Sequence, residues 1–307
     1  MPVFDATTTS EQVVDAYRAQ VQGRTFVITG GSQPSIGSSL ATSLAKASPA
    51  HILIASRTAA KVEPVLAAIR EIDSSVKATF VQVDLSNYAS VRKAAGEILN
   101  ATASKIDVLI NSAGNMAIKE YTLDAQGIEI QLSANHLGHF LLTNLLVPAL
   151  SAAAASDKSK RGARVVNLSS NLWTAYGQAK TANILFSYAL TQRLEHQGIT
   201  AFAAHPGSNL DTNLGSHLVL EDYDDIFEIT KRNTGQDFVF DEPRFKSYAQ
   251  IGATPLAAAL NPDIVTAGAS YLQNCQIVEP IEHARDAEAV EKLWDLSEEL
   301  VGQKFPY

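Results

Sequence analysis

The most constraining feature of the sequence is an alternation of short apolar runs with segments in which apolar residues recur every three or four positions. The first run is TFVIT at residues 25–29, and the segment after it carries Ile36, Leu40 and Leu44 on one helical face. Further strands are predicted at residues 51–55, 78–83, 108–110, 164–168, 200–204 and 268–272. Uninterrupted apolar strands joined by helices predict a parallel sheet covered on both faces. Right-handed crossovers then give a doubly wound, Rossmann-type α/β fold.

The chain of 307 residues shows no internal repeat and no low-complexity linker, so we expect a single domain over residues 23–307. Residues 1–22 are predicted to be a leader with an amphipathic helix at residues 11–21. Helical periodicity fades between about residues 208 and 246, which we interpret as a mobile excursion on the substrate side of a site. Its acidic cluster, EDYDD at residues 221–225, lacks the spacing of a calcium loop and is expected to be a solvated face.

Charge and composition exclude several classes of partner. The chain has 24 basic and 32 acidic residues, a formal net charge of −8, and no basic block, which argues against nucleic acid and acidic membranes. We expect no membrane span, because no stretch approaches roughly 18 apolar residues, and the polar start MPVFDATTTSEQ is unlike a signal peptide. A soluble cytoplasmic protein is therefore expected. The single cysteine, Cys275, can form no internal disulfide and is expected to be a small buried residue.

The turn after the first strand, TGGSQPSIG at residues 29–37, leads directly into the next helix. The free N–H groups and the positive dipole end of that helix would point out of the carboxyl edge of the sheet, where a pyrophosphate is favoured. The candidate binding residues here are Gly30, Ile36 and Gly37. A glycine-rich turn alone is a weak signal, because a tight connection that packs a helix on a strand has the same composition.

Polar residues follow the next strands at the same edge of the sheet. The second strand ends at Arg57, about two dozen residues beyond the phosphate turn, where folds of this kind contact the adenosine ribose. An acidic residue there would bind a 2′-hydroxyl, whereas Arg57 offers a forked cation to a 2′-phosphate, so the sequence favours NADP over NAD. Asp84, after the third strand, can accept a hydrogen bond from an adenine amino group. It can equally be a turn or cap residue.

The motif with the most specific chemistry is YGQAK at residues 176–180. Residues four apart share a helix face, so the ammonium of Lys180 can lie beside the phenol of Tyr176. A neighbouring cation favours the phenolate, so we expect Lys180 to lower the pKa of Tyr176 from about 10 toward the range useful for acid–base catalysis. Ser170, at the end of the preceding strand, could hold a substrate carbonyl, and Asn135 could hold a water that links Lys180 to solvent. The alternative is a buried tyrosine beside a lysine that extends to solvent.

Two other interpretations are less favoured. His136 and His139 are three apart on a predicted helix, but no third ligand is apparent, so we expect packing or capping roles and no metal site. A G-x-S-x-G nucleophile elbow is absent, which argues against a hydrolase.

Taken in order, these motifs resemble the short-chain dehydrogenase/reductase family over about residues 23–302. The matching segments are TGGSQPSIG, Asp84-Leu85, NSAG at 111–114, NHLGH at 135–139, VVNLSS at 165–170, YGQAK, and HPG at 205–207. The run NHLGHFLLTNLL and the ending ELVGQKF are most similar to the retinol-dehydrogenase-like group, which includes fungal enzymes of unassigned or secondary-metabolic substrate. The resemblance implies an NADP-linked oxidoreductase for a small carbonyl or alcohol substrate.

The resemblance also implies individual roles. Tyr176 would be the general acid/base, Lys180 its pKa-lowering and ribose-binding partner, Ser170 the orienter of the carbonyl, and Asn135 the proton-relay residue. The positions that usually line the cofactor are Ile36, Arg57, Asp84, Asn111 and Thr212. Related folds often pair through the helices that carry Asn135 and Tyr176, which leaves a homo-oligomer open.

The sequence departs from the family at three places, and one of them is Thr212, which comes one position later than expected in PGSNLDT at residues 206–212. Pro34 and Ser35 stand where a glycine is expected, so we expect weaker binding of the pyrophosphate. Only residues 171–175 separate Ser170 from Tyr176, where the retinol-type group has a much longer loop. If the helix begins near Thr174, the cofactor side of the site is preserved. The alternative is a non-catalytic dinucleotide-binding protein with a regulatory or partner-binding role.

Overall fold

A computed structural model describes residues 3–157, 159, 161–170, 174–217, 225–235, 237, 239 and 242–307 of the chain. Eight strands form its central sheet: β1 (Thr25–Thr29), β2 (His51–Ser56), β3 (Lys77–Gln82), β4 (Val108–Asn111), β5 (Ala163–Leu168), β6 (Ile199–His205), β7 (Ser270–Gln273) and β8 (Gln276–Val278). Their order across the sheet is β3-β2-β1-β4-β5-β6-β7-β8. Seven strands are parallel, and β8 pairs antiparallel to β7.

The described helices cover both faces of the sheet. They are α1 (Ser10–Ala16), α2 (Ile36–Ala45), α3 (Ala59–Ile72), α4 (Tyr88–Ala101), α5 (Ile130–Leu132), α6 (Gly138–Ser156), α7 (Thr174–Leu194), α8 (Asp225–Thr234), α9 (Ala253–Leu260) and α10 (Ala287–Val301). A π-helical segment, Ser133–Leu137, joins α5 to α6. Because β1 to β7 run parallel, their carboxyl ends lie at one edge of the sheet. The predicted Rossmann-type α/β fold is confirmed.

Two hydrophobic clusters hold the layers together, one on each face of the sheet. Alternate residues of β1 supply both: Phe26 and Ile28 pack in the cluster with α2, α3 and α9, whereas Val27 packs in the cluster with α4, α6 and α7. This alternation is the period of two that a strand imposes on its side chains. A strand buried on both faces therefore has apolar residues at every position, which is why β1 was recognisable from sequence.

The described part of the amino-terminal segment packs against the core of the domain. Its helix is α1, capped by reciprocal hydrogen bonds between Thr9 and Gln12, and it ends at Ala16, before a 3₁₀ turn at Arg18–Gln20. Val13 and Val14 are buried against the cluster that contains α9. The predicted single helix over residues 11–21 is therefore wrong in its bounds, because the chain tightens into a 3₁₀ turn within that range.

The predicted excursion at residues 208–246 contains more regular structure than the sequence pattern indicated. A 3₁₀ turn, Asn213–Gly215, follows β6, and α8 lies inside the excursion. Most of the acidic cluster at residues 221–225 lies outside the described residues, and the predicted mobility stays a prediction.

Helix α6 begins where the chain passes very close to the turn after β3. A Cβ atom on Gly138 would overlap the carbonyl oxygen of Leu85, so the absence of a side chain permits this contact. The requirement is steric, since Gly138 has a helical φ of −63°. The contact sets the start of α6 against the turn that carries Asp84.

One helical stretch in the described residues, Ile130–Ser156, is long and apolar enough by length and composition to cross a membrane. The sequence predicted no stretch near the roughly 18 apolar residues of a membrane span. Measured by helix length and mean hydropathy, this stretch does reach that range, because its scattered polar residues do not offset its many apolar ones. Within the fold, 72% of its most apolar window is buried. Such burial is what the core helix of an α/β domain shows.

Candidate active site

A cavity of about 230 Å³ opens at the carboxyl edge of the sheet, above β1 to β4. Its lining includes five residues that the sequence singled out: Gly30, Ile36, Arg57, Asp84 and Thr212. The same lining includes Gly114 and Asn115 from the loop after β4. Clefts at this edge are where open α/β sheets bind their ligands.

The turn after β1 uses glycine for close approach of the backbone. Gly30 has a φ of +75°, and a Cβ there would lie 2.6 Å from the Cα of Ala113. Gly37 does not line the cavity, and a Cβ on it would lie 2.6 Å from the carbonyl oxygen of Gly30. Gly30 therefore shapes the cavity wall, whereas Gly37 lets α2 pack against the turn.

The amino end of α2 is capped by Ser35, one of the two residues that replace the expected glycine. The Ser35 hydroxyl accepts the Ser38 N–H at 3.1 Å and donates to the Gly30 carbonyl at 3.0 Å. The N–H groups of Ile36 and Gly37 have no hydrogen-bond partner among the described residues. Free N–H groups at a helix start fit an anionic ligand such as a pyrophosphate.

The adenosine side of the cavity has two polar groups with unused bonding capacity. Arg57 is exposed, and its guanidinium makes no hydrogen bond or ion pair within the described part of the chain. One carboxylate oxygen of Asp84 accepts the Ser86 N–H at 3.0 Å and the Ser86 hydroxyl at 2.7 Å. Its other oxygen has no partner among the described residues, so Asp84 both shapes its turn and retains an acceptor.

Asn111 does not line the cavity, contrary to what the resemblance implies. Its side chain is fully buried and donates to Thr143 at 2.9 Å and to Asn167 at 2.8 Å. These bonds join β4 to α6 and to β5. The arrangement gives Asn111 the role of a tie beneath the cavity, because its amide nitrogen already bonds to neighbouring elements, whereas its Oδ1 is buried without a partner among the described residues.

Tyr176 and Lys180 lie in the first turns of α7, which begins at Thr174 as expected. Both side chains are buried, and the Lys180 Nζ lies 5.4 Å from the centre of the Tyr176 ring. That Nζ also donates to the carbonyl oxygen of Leu168 at 3.2 Å, and the Ser169 hydroxyl donates to the Lys180 carbonyl at 2.9 Å. The start of α7 is therefore fastened to the carboxyl end of β5.

The pKa values of this pair differ from the sequence expectation. Burial raises the pKa of the Tyr176 phenol above its usual value and lowers the pKa of Lys180 to about 8. The net pKa of the phenol is therefore raised, in the direction opposite to the expected lowering. The reason is that desolvation opposes the charged form of both groups.

The amide of Asn135 is committed to the loop after β4. It accepts the Asn115 N–H at 2.8 Å and donates to the Asn115 carbonyl at 2.8 Å. A Cβ on Gly114 would lie 2.9 Å from the Asn135 Oδ1 and 3.6 Å from the Lys180 Nζ, so Gly114 brings these two groups and the cavity wall together. These two bonds use one of the two amide N–H groups and one of the two acceptor positions of Asn135, and its role in holding a water stays a prediction.

Ser170 is buried at the end of β5, with 7% of its surface exposed. The three residues after it lie outside the described residues. The structure thus places Asn135, Ser170, Tyr176 and Lys180 around the carboxyl ends of β4 and β5. Sequence reasoning missed Asn115, for which the sequence carries no motif signal.

The two histidines of NHLGH have different partners. His136 bonds to Ser297 at 2.9 Å and to Asn183 at 3.4 Å, whereas His139 bonds to Thr29 at 2.8 Å and to the Asn135 carbonyl at 3.1 Å. Such hydrogen bonding corresponds to the packing and capping roles expected for them.

A doubly wound sheet, free N–H groups at the amino end of α2 and a buried Tyr–Lys pair together define a dinucleotide-dependent oxidoreductase. A family model described as short chain dehydrogenase matches residues 24–221. Mouse (Mus musculus) retinol dehydrogenase 12 is 34% identical over 92% of this chain and 88% of its own. The oxidoreductase fscI of Fusarium equiseti is 33% identical over 67% of this chain and 95% of its own.

The chain therefore belongs to the short-chain dehydrogenase/reductase family, in its retinol-dehydrogenase-like group, and acts on CH–OH donors with NAD(P). Among solved structures, the RhlG/NADP active-site complex of Pseudomonas aeruginosa superposes with a TM-score of 0.63 at 22% identity, covering 82% of this chain and 96% of that chain. Levodione reductase has a TM-score of 0.64 at 18% identity, covering 82% and 97%. At these identities the structural likeness supports the fold.

Proposed function

We propose that the protein transfers hydride between NADP(H) and the carbonyl or alcohol group of a small-molecule substrate, with Tyr176 as general acid and base. The observation that carries this proposal is the burial of Tyr176 and Lys180 side by side at the carboxyl end of β5. Neither side chain is part of the cavity lining itself, but Gly114 is, and a Cβ atom on Gly114 would lie 3.6 Å from the Lys180 Nζ, so the Lys180 ammonium lies just behind the cavity wall.

Binding groups for the cofactor come from three places along the cavity. The N–H groups of Ile36 and Gly37 would bind the pyrophosphate, and the free oxygen of Asp84 would accept from the adenine amino group. Arg57 would pair with a 2′-phosphate, and no acidic residue at the end of β2 is present to bind a 2′-hydroxyl instead. This last feature supports NADP over NAD. When bound, NADP supplies the hydride acceptor and NADPH the hydride donor.

The protein moves the proton that accompanies the hydride. In reduction, Tyr176 donates its phenolic proton to the carbonyl oxygen as that oxygen becomes an alcohol, and in oxidation it takes the proton back. Ser170 donates a hydrogen bond to the same oxygen, which fixes the substrate for transfer. Lys180 would stabilise the phenolate as it forms and would hold the nicotinamide ribose.

The pKa directions favour one direction of reaction near neutral pH. Because burial raises the pKa of Tyr176, the phenol keeps its proton at neutral pH. A neutral phenol is the form that donates a proton, so the protonation state present at neutral pH is the one that carbonyl reduction requires. Alcohol oxidation needs the phenolate and is therefore expected to become efficient only at alkaline pH.

A second candidate function is supported by the short connection before α7. Only five residues, 171–175, lie between Ser170 and Tyr176. A connection this short supplies few side chains to enclose a substrate, and enclosure is what a small-molecule site needs for orientation. A dinucleotide-binding protein without turnover would have the same cavity.

The test combines binding with turnover in the full-length chain. NADPH binding is measured by fluorescence titration, and turnover is measured on a broad panel of ketones, aldehydes and alcohols. NADPH binding together with turnover that Tyr176→Phe removes supports the oxidoreductase. Binding without turnover on any panel member supports the non-catalytic protein, and absence of NADPH binding overturns both.

A further inference from the structure

His139 connects the two groups that hold the loop at residues 112–115, which forms one wall of the cavity. Its ring is buried in the first turn of α6, with 1% of its surface exposed. Its Nε2 lies 2.8 Å from the Thr29 hydroxyl oxygen, and its Nδ1 lies 3.1 Å from the carbonyl oxygen of Asn135. The ring thus joins the end of β1 to the π-helical segment.

The partners of the ring leave it one tautomer. A backbone carbonyl can only accept, so the Nδ1 of His139 must carry the proton that bonds to Asn135. The Nε2 then has a lone pair, and the Thr29 hydroxyl must donate to it. Burial lowers the pKa of His139 to about 3, which keeps the ring neutral near neutral pH. The direction of each hydrogen bond is therefore fixed.

Thr29 extends this chain of bonds to the loop. Its oxygen accepts the N–H groups of Ser112 and Ala113, each at 3.0 Å. With its proton given to His139 and both lone pairs used, the hydroxyl has no unused bonding capacity. A valine in place of Thr29 would fill the same space but could not form these bonds. The Thr29 hydroxyl is therefore the group that holds the Ser112–Ala113 end of the loop.

Asn135 holds the other end of the same loop. Its amide makes two bonds to the backbone of Asn115, and its position in the chain depends on the widened π turn. Within that turn the Gly138 N–H pairs with the Ser133 carbonyl, and the imidazole N–H of His139 binds the Asn135 carbonyl. The side chain of His139 thereby stabilises an irregular turn through a backbone oxygen.

We propose that His139 is a positioning residue that keeps the cavity loop at residues 112–115 in register with Asn135, and through Gly114 with Lys180. It touches neither cofactor nor substrate. It acts by holding Thr29 and Asn135, which fasten the two ends of that loop. The role in turnover rests on the proposed oxidoreductase function, whereas the hydrogen-bond assignment does not.

His136 provides a matched control. It is as buried as His139, lies three residues earlier, and bonds to Ser297 and Asn183, away from the cavity loop. We expect His139→Phe to lower kcat on the order of 10- to 100-fold, because small misplacement of reacting groups has effects of that size. His136→Phe is expected to keep kcat within a few-fold at a comparable loss of thermal stability. Equal effects of the two substitutions on kcat would overturn the positioning role.

Two conservative variants separate the two bonds and serve if His139→Phe does not fold. His139→Asn retains a donor near the Asn135 carbonyl, whereas His139→Gln retains an acceptor that reaches Thr29. We expect His139→Asn to keep more of kcat and His139→Gln to keep more of the NADPH affinity. In addition, Thr29→Val and His139→Asn should be less than additive when combined, since both remove the bond between the Thr29 hydroxyl and residue 139. Full additivity would show that the two residues act separately.

A readout independent of catalysis is the tautomer itself. In the full-length protein labelled with ¹⁵N-histidine, the ring of His139, assigned by its loss in His139→Gln, is expected to show the Nδ1–H form and no titration between about pH 5 and 9. An Nε2–H form or a titrating ring would overturn the inference even in an active enzyme. If the wild type shows no turnover, the proposed function fails. The role of His139 is then still decided by the tautomer of its ring and by the NADPH affinities of its variants.

Discussion

Both edges of the central sheet carry arginine side chains, but only those at one edge have protein partners. At the amino edge, Arg24 is buried and pairs with Asp107 at 3.2 Å, while Arg164 is buried, donates to the Ala258 carbonyl at 3.1 Å and lies over the ring of Phe202. At the carboxyl edge, Arg57 is exposed, without a side-chain partner in the described part of the chain.

This difference teaches how to tell a stabilising polar group from a binding group. A buried polar group without a partner is costly, and each arginine at the amino edge donates to at least one protein carbonyl, although the Nε atoms of Arg24 and Arg164 have no hydrogen-bond partner among the described residues. At the carboxyl edge, the side chain of Arg57, an oxygen of Asp84 and the first N–H groups of α2 keep bonding capacity for a ligand. Substitutions at the two edges should therefore change different quantities.

The largest effect is expected at the carboxyl edge, for Tyr176→Phe. The substitution keeps the ring and removes the proton that the reaction needs, so kcat should fall on the order of 10²- to 10⁴-fold while NADPH affinity stays nearly unchanged. Steady-state kinetics and fluorescence titration measure the two quantities. Tyr188→Phe on the same helix is the control, and turnover of the Tyr176 variant near the wild-type rate would exclude Tyr176 as the acid.

The matching change at the amino edge is Asp107→Asn, which leaves the Arg24 guanidinium buried without a carboxylate. Breaking a buried pair in this way costs about 3–5 kcal/mol of unfolding free energy, measured by urea denaturation. Asp15→Asn removes an exposed pair with Arg18 and should cost at most about 1 kcal/mol. Equal losses for the two variants would contradict the difference in burial.

Arg57→Ala tests the binding group directly. A charge-assisted hydrogen bond contributes about 1.5–3 kcal/mol, so the preference for NADPH over NADH should narrow by roughly 10- to 100-fold without loss of stability. Titration with both cofactors gives the ratio, and Arg70→Ala on α3 is the surface control. Equal binding of NADPH and NADH by the wild type would remove the basis of this prediction.

A smaller effect is expected from pH. Lys180, with a pKa of about 8, is charged below that pH and neutral above it. The ammonium stabilises the phenolate formed when Tyr176 gives up its proton, so kcat for carbonyl reduction should be highest below about pH 8 and fall several-fold as pH rises through it. The Lys180→Met variant should lose this fall in kcat near pH 8, together with part of its activity. A wild-type kcat for carbonyl reduction that rises as the pH passes about 8 would contradict this prediction.

The sequence predicted the strands far better than the local environment of the site. Strand β1 was predictable because a strand buried on both faces is apolar throughout, whereas β8 is short and partly exposed and has no such pattern. That Arg57 and Asp84 line the cavity could be predicted from their places at strand ends. The buried orientation of Asn111 and the raised pKa of Tyr176 could not be predicted, because hydrogen-bond partners and desolvation depend on packing between distant segments.

The close contact at Gly138 has a practical consequence for engineering stability. Helix propensity favours alanine over glycine by about 1 kcal/mol. Gly96 in α4 has no packing neighbour among the described residues within 4 Å of where a Cβ atom would lie, so Gly96→Ala should gain close to that amount. Gly138→Ala should instead lower the melting temperature, because the methyl group would push α6 off the Leu85 turn. A design method that scores only propensity would rank these two substitutions equally, and thermal unfolding of the pair would show its error.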